Sequence, residues 1–178
     1  MPNPSNATVG TIPAKAYAGQ DQSPLQPTDS YINESATAID AGVPVARGTT
    51  ATTAGRAENC KPVAADADEI LGPSLRWVSK DADSTQDPQY ARYEDVPVKK
   101  EGRVSVIAGE TVGGGDEVLI VVASATDPTL CWGSSRGGVI GSGRIAMTGW
   151  KYCGNGTYAA GTVVDIEGRS ASRGKITT

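Results

Sequence analysis

From Arg103 to Val122 the chain reads RVSVIAGETVGGGDEVLIVV, an apolar/polar alternation that stops at a glycine run and restarts as unbroken aliphatics. Period-two alternation marks a half-buried strand, and a short continuous apolar run marks a strand covered on both faces. The stretch predicts a hairpin. Val104, Val106 and Ala108 share one face of its first strand, Arg103, Ser105 and Ile107 take the other, and EVLIVVA is the deeper second strand. Similar short pieces recur along the chain: AIDAGVPVARGTT from Ala38, SLRWVS from Ser74 with Leu75 and Trp77 on one face, YEDVPVKK from Tyr93, VIGSGRIAM from Val139, WKYC from Trp150 and TVVDIE from Thr162. Gly154-Asn155-Gly156 reads as a tight turn. Spacings of about ten residues suit a β-sandwich or barrel-like body of short antiparallel strands.

One segment reads differently. PVAADADEILG, 62–72, predicts a helix of about two turns, started by Pro62 and stopped by Gly72-Pro73. SKDADSTQDPQ (79–89) and SATDPTLCWGSSRGG (124–138) read as surface loops. Residues 1–38 carry Pro2, Pro4, Pro13, Pro24 and Pro27 among small polar residues, with Tyr17, Leu25, Tyr31 and Ile32 as isolated apolar points. Such a stretch buries too little to offset roughly 1–2 kcal/mol per residue of backbone ordering, so it predicts an extended N-terminal arm that orders against a neighbour. The body then spans 39–168, and 169–178 is a tail carrying Arg169, Arg173 and Lys175 without an acid.

Composition supports a mainly β chain: 178 residues with 22 glycines, 11 prolines and no phenylalanine favour extended pieces and turns. A net charge of −4 would be repelled by a phosphate backbone, so nucleic acid is not expected as a partner. No apolar run approaches a membrane span, and the first residues lack the basic start and apolar core of a secretory leader, which predicts synthesis in a cytosol. On that route the sequons at Asn6, Asn33 and Asn155 are chance matches. Cys60, Cys131 and Cys153 are widely spaced and read as small buried hydrophobes.

Several motifs resemble reactive sites and lack a necessary part. Gly133 to Gly137 fits G-x-S-x-G, but that elbow needs a histidine to take the serine proton, and the chain has none. Gly141 to Ala146 fits a loose dinucleotide fingerprint, with Asp165 at a ribose-binding distance, yet strand and turn residues follow where a helix must bind the pyrophosphate. Gly168 to Lys175 has one residue too many for a phosphate loop. The acids of ADADE and KDADSTQD lack the glycine and terminal glutamate of a Ca²⁺ loop. No catalytic, cofactor-binding or metal-binding residues are expected, and no enzymatic activity.

Three stretches, DAGVPVARGT (40–49), YEDVPVKKEGRVSVIAGETVGGGDEV (93–118) and GTYAAGTVVDIEG (156–168), together resemble the capsid cement, or head-decoration, proteins of tailed bacteriophages. In that family a low-complexity leader precedes an AG-x-P motif, a central G-x-V-x-V strand, a G-D-x-V strand and an A-A-G-x-x-V strand. Here Val45 and Ala46 stand where many relatives place an aromatic, and Cys131-Trp132 has no obvious counterpart. The resemblance implies a virion protein, assembled in the host cytoplasm, on the outer capsid surface. It implies contact with several copies of the major capsid protein at three-fold or quasi-three-fold positions, commonly as a homotrimer, and support of the head against packed DNA. On this reading Tyr17, Leu25, Tyr31 and Ile32 anchor the arm, and Arg169, Arg173 and Lys175 pair with acidic capsid residues. The rival readings are a head-fibre or tail-tube component, and a carbohydrate-binding β-domain with Trp77, Trp132, Trp150 and Tyr152 as a stacking platform.

Overall fold

Valine-rich alternation, broken every few residues by glycine or proline, leaves the backbone short strands as its way to pair its polar groups. The computed structural model describes residues 18–23, 28–50, 57–76, 89–136 and 143–168. In chain order the strands are β1 (Thr28–Asn33), β2 (Ile39–Asp40), β3 (Pro44–Arg47), β4 (Asn59–Pro62), β5 (Ile70–Pro73), β6 (Gln89–Tyr90) and β7 (Asp95–Lys99). They continue as β8 (Gly102–Ile107), β9 (Val112–Gly113), β10 (Glu117–Val121), β11 (Trp132–Ser134), β12 (Arg144–Tyr152), β13 (Thr157–Tyr158) and β14 (Val163–Gly168). A single 3₁₀ turn, Val122–Ser124, is the one helical piece among the described residues.

Two five-stranded sheets carry the body, in the orders β5-β3-β4-β1-β7 and β11-β10-β12-β14-β8. All neighbours are antiparallel except β1 and β4. Each sheet coils until its edges touch at an isolated bridge, Ser74 to Val98 in the first and Ala108 to Trp132 in the second. One bridge is not a ladder, so neither is a closed barrel. A single core runs between the sheets, from Tyr31, Val45 and Val98 to Val106, Ile120, Trp132 and Ile166. Trp132 ties them directly: its indole N–H donates to the Gly42 carbonyl at 2.6 Å.

The predicted faces of β8 hold, with Val104, Val106 and Ala108 fully buried. β10 is covered on both sides, as Val118, Leu119 and Ile120 are. The predicted hairpin between them does not form, because β12 and β14 lie between β10 and β8. The connection is too long for a tight turn and makes its own strand, β9, which pairs with β13. Asp116 then closes the turn by accepting the Gly113 N–H at 2.7 Å.

The helix expected over 62–72 is also absent. Cys60 and Pro62 point inward from β4, and Leu71 to Pro73 are buried in β5. Between the strands Asp68 accepts the N–H groups of Ala64 and Ala65 at 2.7 and 3.0 Å and an ion pair from Lys61 at 2.7 Å. An acid that satisfies turn amides in this way competes with the helix. The expected loop 124–138 contains β11, paired to β10. The two pieces VIGSGRIAM and WKYC merge into the nine-residue β12, which passes through Gly149 at φ +84°. β1 falls inside the 1–38 segment that composition assigns to the arm, and lies between β4 and β7.

Gly72 shows how closely the first sheet coils. At φ +151° it packs against β7 so tightly that a Cβ would lie 2.1 Å from the Lys99 carbonyl oxygen. Gly72→Ala is expected to cost about 3 kcal/mol or more. Gly115→Ala, at φ +86° with open space around it, should cost only the left-handed backbone penalty of about 1 kcal/mol. Urea denaturation of both variants measures the contrast.

Candidate functional site

Residues 18–23 form a strap on the outer edge of β8. Gly19 N–H donates to Ser105 O at 2.9 Å, Ser105 N–H to Gln20 O at 3.0 Å, and Gln22 N–H to Arg103 O at 3.0 Å, with Asp21 bridged to Val104. The strap therefore covers the outer edge of β8 from Arg103 to Ser105, and a bare edge is the common route to unwanted pairing between chains. The strap also reaches the first sheet, where Arg76 N–H donates to Gly19 O at 2.8 Å. Its polar anchor is Lys99 at the end of β7, whose side chain is 0% exposed and whose Nζ meets Asp21 Oδ2 and Ser23 O, each at 2.7 Å.

Two surfaces flank this junction. The first is a shallow depression lined by Asp29, Ser30, Tyr31, Arg47, Glu58 and Lys100. Arg47 pairs with Glu58 and, at 2.9 Å, with Glu69. The Lys100 ammonium sits 4.8 Å over the Tyr31 ring. Burial, reinforced by the charges of Asp29 and Glu58, pushes the Tyr31 hydroxyl up to about 12, and burial lowers Lys100. The second is the outer face of β8 and β14, a ladder of cross-strand pairs: Arg103 with Glu167 at 3.2 Å, Ser105 with Asp165 at 2.7 Å, and Ile107 opposite Val163. Both are open and carry mixed, mostly paired charge, with Ser105 itself covered by the strap.

The sequence-predicted residues separate accordingly. Tyr31 lies in β1 and is only 5% exposed, so its ring packs in this chain's own fold rather than on a free arm. Ile32 beside it is half-buried. Tyr17, Leu25, Arg169, Arg173 and Lys175 lie outside the described residues. Of the aromatic platform, Trp132, Trp150 and Tyr152 are buried. Trp150 packs on Gly168, and Tyr152 donates its hydroxyl to Gly133 O at 2.9 Å. Those three rings are not available for stacking on a sugar, and Trp77 lies outside the described residues. Cys60 and Cys131 are buried free thiols, and burial raises Cys60 to about 12. Among the described residues no three Cys, Asp or Glu side chains converge on a metal-sized space. No described helix is long and apolar enough to cross a membrane. Ser135 of the G-x-S-x-G stretch is exposed in a turn after β11. Sequence reasoning missed the strap, because GQDQS carries no apolar period to reveal it.

A family model described as structural cement protein (E217 gp24/Pam3 gp6) matches residues 6–168. The chain belongs to the phage structural cement protein family. The match spans both sheets, the strap and most of the segment before it. Among solved structures, a chain in the capsid of Myoviridae phage XM1 shares the fold with a TM-score of 0.58, at 15% identity, over 91% of this chain and 94% of that one. No protein of curated function matches.

Two predictions follow from the polar anchors of this cement-family fold. Asp21→Ala leaves the Lys99 charge buried without its carboxylate and is expected to cost about 3 kcal/mol, most of it recovered when Lys99→Met is added. A double-mutant cycle in urea measures this, with faster hydrogen exchange at Ser105 and Gln22 reporting release of the strap. Glu34 supplies the acid-sensitive term. Burial alone would raise its carboxyl, but Thr49 and Thr50 donate to it at 2.6–3.0 Å and hold it down to about 2, from an ordinary value of 4.5. A depressed carboxyl contributes stability above its unfolded pKa and loses it as pH falls through the folded one. Stability should therefore drop between about pH 4.5 and 2, and Glu34→Gln should flatten that part of the acid limb in a pH series of melts.

Proposed function

We propose that this protein is a non-enzymatic cement of a bacteriophage head. It binds the outer capsid surface at junctions between major capsid protein subunits, at three-fold or quasi-three-fold positions, as a homotrimer, and holds the head against the pressure of packed DNA. The observation that carries the reading is the cement-family match over 6–168, which coincides with a body whose sheet edge is sealed and whose faces offer paired charges. A pI near 4.8 suits a surface turned away from the genome. Stable protein contacts bury about 1,600 Å² in total, and three copies acting together gain avidity because later contacts become intramolecular.

In this reading Tyr17 and Leu25 anchor the N-terminal segment on a neighbouring subunit, and Arg169, Arg173 and Lys175 meet acidic capsid residues. Tyr31 and Ile32 support β1, and through it the depression beside Lys100.

Purified protein mixed with undecorated, expanded heads of its phage should saturate a fixed number of sites and raise the temperature at which heads open. Heads that take up none of it would overturn the reading. Truncation must stop before Ala18, since the strap is part of the fold. Deleting residues 1–17 should leave the melting temperature intact and weaken head binding about tenfold or more, and unchanged affinity would reject the arm.

A further inference from the structure

Left-handed backbone is reserved for glycine throughout the described residues, with one exception. Gly19, Gly42, Gly72, Gly102, Gly115, Gly143, Gly149, Gly154 and Gly161 have positive φ, and the remaining such residue is Tyr93, at φ 68°. A bulky side chain there costs free energy that glycine would not. Burial does not offset it, because Tyr93 is 70% exposed, the most exposed of the large hydrophobics among the described residues. Strain of this kind persists where surrounding structure imposes it, and it gathers at binding and catalytic positions.

The surroundings do impose it. Tyr93 sits in the turn between β6 and β7, where its N–H donates to Asn33 O at 2.7 Å and Asn33 N–H returns to Glu94 O at 3.0 Å. Asn33 is itself fully buried, with Nδ2 donating to Thr37 O and Tyr90 O, each at 3.0 Å. Glu94 closes the turn by accepting the Ala91 N–H at 2.7 Å. The ring is thus presented on a fixed tip, and a contact made there pays little ordering entropy. Over it, 4.7 Å from the centroid, lies the Arg92 guanidinium, which meets no carboxylate among the described residues. Exposed Asp95, three residues after Arg92, is the nearest acid in sequence not engaged in the turn.

We infer that Arg92 and Tyr93 form a preorganised knob for the capsid protein, seated in an apolar socket with an acidic rim. Tyrosine and arginine are the residue types that most often dominate protein contacts, and a stacked pair offers both ring and charge to one pocket. The inference rests on the capsid-binding reading and deepens it by naming the contact.

The test uses full-length protein and undecorated expanded heads. Tyr93→Gly removes the ring and the strain together, so its melting temperature should equal or exceed the wild type while its affinity for heads falls about tenfold or more. Arg92→Glu should lose affinity similarly, and Tyr93→Phe should keep it. Wild-type binding with an undiminished Tyr93→Gly variant would overturn the knob and leave the capsid reading intact. A Tyr93→Gly protein that melts lower would also overturn it, by making the ring structural. A variant that changes sedimentation mass but not head affinity would assign the knob to contacts between copies, against the inference. Failure of the wild type itself to bind heads would remove both readings.

Discussion

The Lys99 ammonium is the constraint around which the body closes. It stands at the end of β7, in the first sheet, with no exposed side-chain surface, and a bare buried charge is among the most costly features a fold can contain. Asp21 and Ser23 O resolve it from the opposite direction, on a strap hydrogen-bonded to β8 of the second sheet. Lys99 therefore couples the strap to both sheets. Residues that would otherwise be a solvated leader become part of the folded unit, and the edge of β8 is covered in the same act.

From this closure the outward surfaces follow. With the strap on β8 and each sheet coiled back toward its own edge, the described residues present few open strand edges on which copies could add without limit. What remains to meet a partner is side-chain chemistry: the Arg47 cluster, the cross-strand pairs of β8 and β14, and the Arg92–Tyr93 turn. Two of the tryptophans that suggested a sugar platform instead do internal work, Trp132 as a tie between the sheets and Trp150 as the ring packed on Gly168.

Much of this was legible in the residues. The β class, the inner face of Val104, Val106 and Ala108, and the double burial of Val118 to Ile120 within EVLIVVA follow from short-range patterning, which depends only on neighbours in sequence, although the strand ends at Val121 and Val122–Ser124 turns away. The family likeness was legible too, because short glycine-led motifs keep their order whatever the intervening loops do. The errors share a cause. The hairpin, the helix over 62–72 and the loop over 124–138 were judged from local propensity, while the outcome was set by β12 and β14 inserting between β8 and β10, by Asp68 capping a turn, and by β10 offering an edge to Trp132–Ser134.

The sequence by itself determined that the chain builds strands, which faces of them are apolar, that no histidine is present for catalysis, and that the family is one of capsid cements. Only the tertiary structure decided which strands are neighbours, that GQDQS lies along the edge of β8 as a strap, that Tyr31 belongs to a sheet, and that Tyr93 is held in a conformation suited to glycine. The division is physical. Periodicity records what one residue requires of water and of its nearest neighbours along the chain. Strand order, edge protection and backbone strain come from groups far apart in sequence, such as Asp21 and Lys99, and exist only once both are in place.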